Sequence, residues 1–344
     1  MSGSRLSPRA LFPGAPLTPL GVSTGSTRWD LSSGAADDRE ILRGLRQAIE
    51  LGASFIDTAD SLGDGRAERL IGKVLRDYRN YRIPVISKVG RLRGSAPHPY
   101  AGPRVRHQLE QTLENLRMEE LGVYVLDSHD FGPGERYLSP VIGQLRAMRD
   151  LGQIRAIGLR GPTDVDSPER IQRFLWLVEE IEPDVIWAQA NGLQPPPSIE
   201  QGNDLCHFTA RHGIGLVIAS PLAHGLLAGQ GNYHVLEPLF RVPSRNAASI
   251  VQHGLRDLGD RFGHQPGILA QILLRARLQR TPHAVVAVGI TDERRVRECF
   301  RCLTVELTDG ELGYIEDVLS QIRLGIQGLR GGRDTSKACT GGVS

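Results

Sequence analysis

The chain reads as an α/β protein folded as a single parallel (β/α)8 barrel of the TIM type. Three observations predict it. Short apolar, β-branched runs alternate with amphipathic helical stretches through the whole 344 residues, which is the pattern of a parallel sheet covered on both faces. Eight such units can be counted, and eight close into a barrel. Polar residues end several of the runs, where a barrel gathers them at one mouth. A doubly wound sheet is the weaker reading, because no G-x-G-x-x-G opens a helix after the first strand.

The elements follow in order. Residues 1–15 are rich in Ser, Pro, Gly and Arg and are expected to be disordered. The first strand is expected over 20–23, running into Thr24, and a polar loop over 29–36. A helix over 37–51 places Ile41, Leu45, Ala48 and Ile49 on one face and stops at Gly52. A strand over 55–57 delivers Asp57, and a loop with Gly63 and Gly65 leads to a helix over 66–79. A strand over 83–87 ends at Lys88, and a long loop with Tyr100 precedes a helix over 104–116. A strand over 123–126 leads to His129, then a helix over 138–151. Strands over 156–159, 185–188 and 216–219 precede helices over 168–181, 199–212, 247–261 and 266–278. The eighth strand is expected over 285–288, followed by helices over 293–300 and 309–324. The domain reading is thus a barrel over 16–324 and a flexible Gly-, Arg- and Ser-rich tail over 325–344.

Composition excludes several classes. With 41 Lys and Arg against 39 Asp and Glu, the net charge of +2 gives no bias toward nucleic acid or membrane. No apolar run approaches about 18 residues, so no membrane span is expected, and the start lacks a secretory signal. Four cysteines are too few for a disulfide framework. Cys299 and Cys302 are read as reduced thiols rather than metal ligands, since no second ligand pair accompanies them. A cytoplasmic protein acting on a small-molecule substrate is expected.

Asp57, Lys88 and His129 stand at the ends of three successive strands. With the Asp57-Thr58-Ala59 and Gly63 loop, Ile86-Ser87-Lys88-Val89-Gly90-Arg91, and Leu126-Asp127-Ser128-His129-Asp130, the chain resembles the aldo-keto reductase family over roughly 15–322. Lys88-Val89-Gly90-Arg91, Phe131-Gly132 and Ser220-Pro221-Leu222-Ala223-His224-Gly225 are most similar to its L-galactose dehydrogenase-type branch. The resemblance implies an NAD(P)-dependent oxidoreductase acting on a hydroxyl or carbonyl of a small polar, sugar-like metabolite. It casts Lys88 as the proton-transfer partner, Asp57 as its counter-ion and His129 as the group orienting the carbonyl. It assigns NADP or NAD to Thr24, Gln189, Ser220, Leu222, Gly289, Thr291, Arg295 and Glu298. Gly289 and Thr291 also precede a helix N-terminus, a ready anion site.

One position departs from the family. Leu62 occupies the place of the family's proton-donating tyrosine, and leucine can neither donate a proton nor a hydrogen bond. Substitutes at the mouth are His129, Asp60, Ser61, Tyr100 and His224. Arg160 stands where many members have a serine that holds the carboxamide, and a guanidinium there suits a substrate carboxylate or phosphate. Leu62, Tyr100, Arg160 and His224 therefore make up the expected substrate pocket. The alternative reading is a barrel without net redox chemistry. It would be a lyase, isomerase or dehydratase using Lys88 and His129, or a non-catalytic binding or regulatory protein.

Overall fold

Side chains in a strand alternate between its two faces, so each barrel strand sends every second residue inward. In the computed structural model, which describes residues 6–25, 38–92, 94–163, 166–200, 202–230, 233–240, 242, 244–290 and 292–337, this alternation builds a closed barrel of eight parallel strands. They are β1 (Leu20–Ser23), β2 (Ile56–Asp57), β3 (Val85–Val89), β4 (Leu121–Leu126), β5 (Ile154–Arg160), β6 (Val185–Gln189), β7 (Gly215–Ala219) and β8 (Ala284–Gly289). Neighbours in sequence pair in parallel, and β8 pairs with β1 to close the ring.

Inward residues such as Phe55, Ile86, Val123, Val125 and Trp187 fill the interior. Outward residues such as Ile56, Val85, Tyr124 and Leu159 pack against the surrounding helices. These are α1 (Asp38–Glu50), α2 (Arg66–Leu75), α3 (Gly102–Leu116), α4 (Leu138–Asp150), α5 (Pro168–Ile181), α6 (Leu205–Arg211), α7 (Leu236–Phe240), α8 (Ser244–Phe262), α9 (Ile268–Arg280), α10 (Glu293–Phe300) and α11 (Asp309–Lys337). A second apolar cluster joins α8, α9 and α11.

Four expectations need correction. Residues 6–15 are not a disordered leader. Arg9–Ala10 pairs antiparallel with Pro16–Leu17, and Leu11, Phe12, Ala15 and Leu17 are buried in the barrel's interior cluster. The hairpin lies at the strands' N-terminal end, where Arg9 donates to the carbonyls of Leu278 and Ala284. It closes the floor because four apolar side chains in seven residues are better buried there than left in water.

The last helix does not stop at 324 but runs to Lys337. Its glycines are contact points: a Cβ at Gly325 would come 3.0 Å from Ile250, and one at Gly254 would come 2.5 Å from Ile322. Small residues let α8 and α11 approach closely. The helix expected over 66–79 ends at Leu75 and continues as a 3-10 turn (Arg76–Tyr81), kinked at Tyr78. The helix expected from 199 starts at Leu205, after a small ribbon of Ser198–Glu200 with Asn203–Asp204. Asp204 caps it by accepting from the His207 amide. The polar loop over 29–36 lies outside the described residues.

Candidate active site

Inward alternation at the C-terminal ends of the strands gathers a polar ring. Ser23, Asp57, Lys88, Asp127, Arg160 and Gln189 each stand two residues beyond an inward position of their own strand. At the centre, the Lys88 Nζ lies 2.6 Å from Asp57 Oδ1 and donates to the Thr58 carbonyl at 2.5 Å. Asp57 also accepts from the Trp187 indole at 2.9 Å and from the Ser23 hydroxyl at 2.7 Å. The carboxylate is 1 % exposed and the lysine 5 %. Two neutral donors and the ion pair compensate a charge that would otherwise be costly to bury. A lysine has three N–H donors. Two are bound to protein oxygen, and the third has no oxygen partner among the described residues.

Trp187 joins the two halves of the mouth. The Lys88 Nζ lies 4.6 Å from its ring centroid and the Arg160 guanidinium 5.0 Å. Arg160 pairs with Asp127 at 2.6 Å and donates to Gln189 Oε1 at 3.3 Å. Arg91 holds the other Asp127 oxygen. The His129 Nε2 lies 2.7 Å from the Arg160 carbonyl. Burial pushes the His129 imidazole below the usual histidine value, although that contact opposes it. A neutral ring facing a carbonyl through Nε2 carries its proton there, which leaves Nδ1 as an acceptor.

The nucleotide-side residues lie on other loops. Ser220 and His224, with Ala223 between them, hold φ angles of 54°, 55° and 48° in the loop after β7. Each such non-glycine conformation costs about 1–3 kcal/mol and is typical of a backbone held to present its N–H groups. Leu222 is half-buried in that loop, and His224 is exposed. Gly289 is exposed at the end of β8. Asp292 caps α10 by accepting from the Arg295 amide. The Arg295 Nε is buried without a hydrogen bond among the described residues, 3.4 Å from Asp292. Glu298 pairs with Arg294 at 2.8 Å. Thr291 lies outside the described residues.

Two expected site residues do not face the mouth. Thr24 has no accessible surface, and its hydroxyl donates to Thr58 at 2.8 Å. Tyr100 is fully buried. Its hydroxyl donates to the Ser128 carbonyl at 2.9 Å and accepts from the Ser128 amide, and its ring stacks on Phe131 at 4.8 Å. Burial raises its pKa far above the ordinary phenol value. Gly90 makes room for it, since a Cβ there would lie 2.3 Å from the hydroxyl. Tyr100 therefore buttresses the loops after β3 and β4. Leu62 is half-buried and packs against the outer core from the loop between β2 and α2. Asp60, 2 % exposed, has one carboxylate oxygen without a hydrogen bond. Burial first, then the Glu68 carboxyl, push it up to about 7.

Trp187, Asp127 and Ser23 escaped the sequence reading. Two-residue alternation from Val125 would have found Asp127. Nothing in an apolar strand segment marks Trp187 as a bridge between cations.

A closed parallel barrel with a buried lysine–aspartate pair and a polar ring at its C-terminal mouth defines the class of barrel enzymes. Comparison carries this further: the chain belongs to the aldo/keto reductase family, whose model matches residues 21–320. It is 26 % identical over 287 residues to L-galactose dehydrogenase of Arabidopsis thaliana, covering 81 % of each chain. It is 22 % identical over 284 residues to pyridoxine 4-dehydrogenase of Escherichia coli, covering 80 % of this chain and 85 % of that one. Among solved structures, the glycerol dehydrogenase of Gluconobacter oxydans shares the fold at a TM-score of 0.72 with 22 % identity, over 92 % of this chain and 95 % of that one. An aldo/keto reductase of Klebsiella pneumoniae, solved with NADP and acetate, shares it at a TM-score of 0.65 with 20 % identity, over 92 % and 96 %.

Proposed function

We propose that the protein is an NAD(P)-dependent oxidoreductase interconverting a hydroxyl and a carbonyl on a small polar, sugar-like metabolite, with Lys88 in direct charge of the proton. The observation that carries this reading is the buried Lys88–Asp57 pair, with one ammonium donor that has no oxygen partner among the described residues. The residues present fit a dinucleotide. The loop holding Ser220 and Leu222 has the constrained backbone of a phosphate cradle, and Arg295 keeps a buried donor without a hydrogen bond among the described residues. Gln189, Gly289 and Glu298 complete the holding set, and Arg295 would meet a 2′-phosphate. When bound, the nicotinamide supplies or takes the hydride.

Lys88 donates a proton from Nζ to the carbonyl oxygen as negative charge develops on it. In the oxidation direction its amine takes the hydroxyl proton. Asp57 keeps the ammonium in place, and Trp187 excludes water beneath it. His129 offers Nδ1 as an acceptor to a substrate hydroxyl, because its Nε2 proton is committed to Arg160. Arg160 and Gln189 present further polar groups to a hydroxylated substrate. Leu62, where the family resemblance expects a phenol, gives the pocket an apolar wall. L-galactose, pyridoxine and glycerol, in the names of the similar proteins, are all small hydroxyl-bearing molecules.

The test follows the absorbance of the reduced nicotinamide across a panel of small hydroxylated aldehydes and ketones. Lys88→Met is expected to lower kcat by at least about 100-fold, the usual weight of general acid–base help, with cofactor affinity unchanged. Leu62→Tyr is expected to harm the preferred reaction. Full activity in Lys88→Met would remove Lys88 from its role. Cofactor binding with turnover that never changes the nicotinamide's redox state would favour the lyase, isomerase or dehydratase reading.

A further inference from the structure

The other end of the barrel carries a groove of about 740 Å3 that the chemistry above does not use. It lies outside the starts of β3, β4 and β5, lined by Arg76, Arg79, Arg82, Arg117 and Arg155 against two acids, Glu119 and Glu120. Arg76 is 3.5 Å from its neighbour Asp77, and Arg155 is 3.8 Å from Glu120. Arg79, Arg82 and Arg117 have no ion pair or side-chain hydrogen bond among the described residues. Like charges gathered without partners repel one another and weaken the fold.

The backbone adds a second, independent observation. Arg82 and Arg117 end the helical segments before β3 and β4 with φ angles of 45° and 56°. This left-handed position disfavours any residue with a Cβ and is normally given to glycine. Glycine stands at three of the equivalent turns, Gly52, Gly152 and Gly213, with φ of 93°, 71° and 65°, while Glu182 before β6, outside the groove, holds φ of 52°. Two arginines thus hold strained positions on the rim of one groove, and their guanidinium groups return no hydrogen bond or ion pair among the described residues.

We propose that this groove binds a small molecule carrying two or more phosphate groups, at a site remote from the catalytic mouth. Guanidinium forks match phosphate oxygens in pairs, and several converging forks match more than one phosphate. The groove has the volume of a small-molecule site rather than of an extended polymer track.

The test is calorimetric titration of the full chain, saturated with NADP to fill any phosphate cradle at the mouth, with inorganic pyrophosphate at low ionic strength. Binding with a Kd of about 1 mM or tighter is expected. The Arg82→Gly/Arg117→Gly double variant is expected to bind about 100-fold more weakly, roughly tenfold per lost guanidinium. Its unfolding temperature is expected to stay the same or rise, because glycine fits both turns. ADP binding as tightly as pyrophosphate, and lost in the same variant, would support a soluble phosphorylated ligand. No pyrophosphate binding would overturn the proposal, as would equal binding by the double variant. A single-stranded oligonucleotide that binds where pyrophosphate does not would overturn it too.

Discussion

Two aspartates three residues apart meet opposite fates. Asp57 is held by Lys88, Trp187 and Ser23, so its charge is met from several sides. Asp60 is almost as buried, yet one of its oxygens has no hydrogen bond and Glu68 adds like charge. Its pKa in the folded chain, about 7, lies above the ordinary carboxyl value of 3.8. Below both values the group is protonated in both states and contributes nothing. As pH rises through 3.8 the unfolded chain releases the proton while the folded one keeps it, so stability falls. The loss is complete above about pH 7 and amounts to about 4 kcal/mol at most. Asp60→Asn is expected to remove that slope, so urea denaturation at pH 5 and pH 8 should show the variant gaining on the parent at the higher pH. An equal pH dependence in the two proteins would mean that Asp60 titrates normally. The sequence places Asp57 at a strand end and Asp60 in the loop after it, but the partners that each carboxylate meets come from distant residues.

At the scale of the element, the N-terminal hairpin is the part least visible beforehand. Its Ser, Pro, Gly and Arg content resembles a disordered leader, and the few apolar residues are too close together to show a period. Phe12 is 4 % exposed, packs in the interior cluster and carries the Arg155 guanidinium 4.9 Å from its ring centroid. Phe12→Ala is expected to cost about 3 kcal/mol, measured by urea denaturation, because the floor cannot collapse into the space. A cost below about 0.5 kcal/mol, the size of a typical surface change, would mean that the hairpin is not part of the core. The end of α11 departs from its expected bound for the converse reason. Glycine content suggested a tail, whereas at Gly325 it permits a close helix crossing.

For the whole molecule, parallel strands place all their C-terminal ends on one side. The mouth thereby gathers residues from 23 to 289, and the hairpin closes the other end. A cofactor held across the loops after β6, β7 and β8 would tie late elements of the barrel together. NADP at 100 times its Kd is expected to add about 2.7 kcal/mol to stability, read as a rise in unfolding temperature that grows with concentration. NAD should give a smaller rise if Arg295 meets the 2′-phosphate, and Arg295→Ala should bring the two cofactors together. An identical response to both in the parent protein would remove that role.

Legible in consecutive residues were the barrel, the place of Asp57 and Lys88 at strand ends with His129 in the loop after the next strand, and membership of a family. Hydrophobic period and strand-end position are local properties, written in consecutive residues. Which polar groups meet follows from closure of the barrel. Tyr100 reads as a pocket residue and Thr24 as a cofactor contact along the chain, but their hydroxyls are spent on Ser128 and Thr58. Trp187 looks like core, yet it lies against both Lys88 and Arg160 and donates to Asp57 across 130 positions. Hydrogen bonds and cation–π contacts depend on distances of a few ångströms between residues far apart in sequence, and closure of the barrel alone sets those distances.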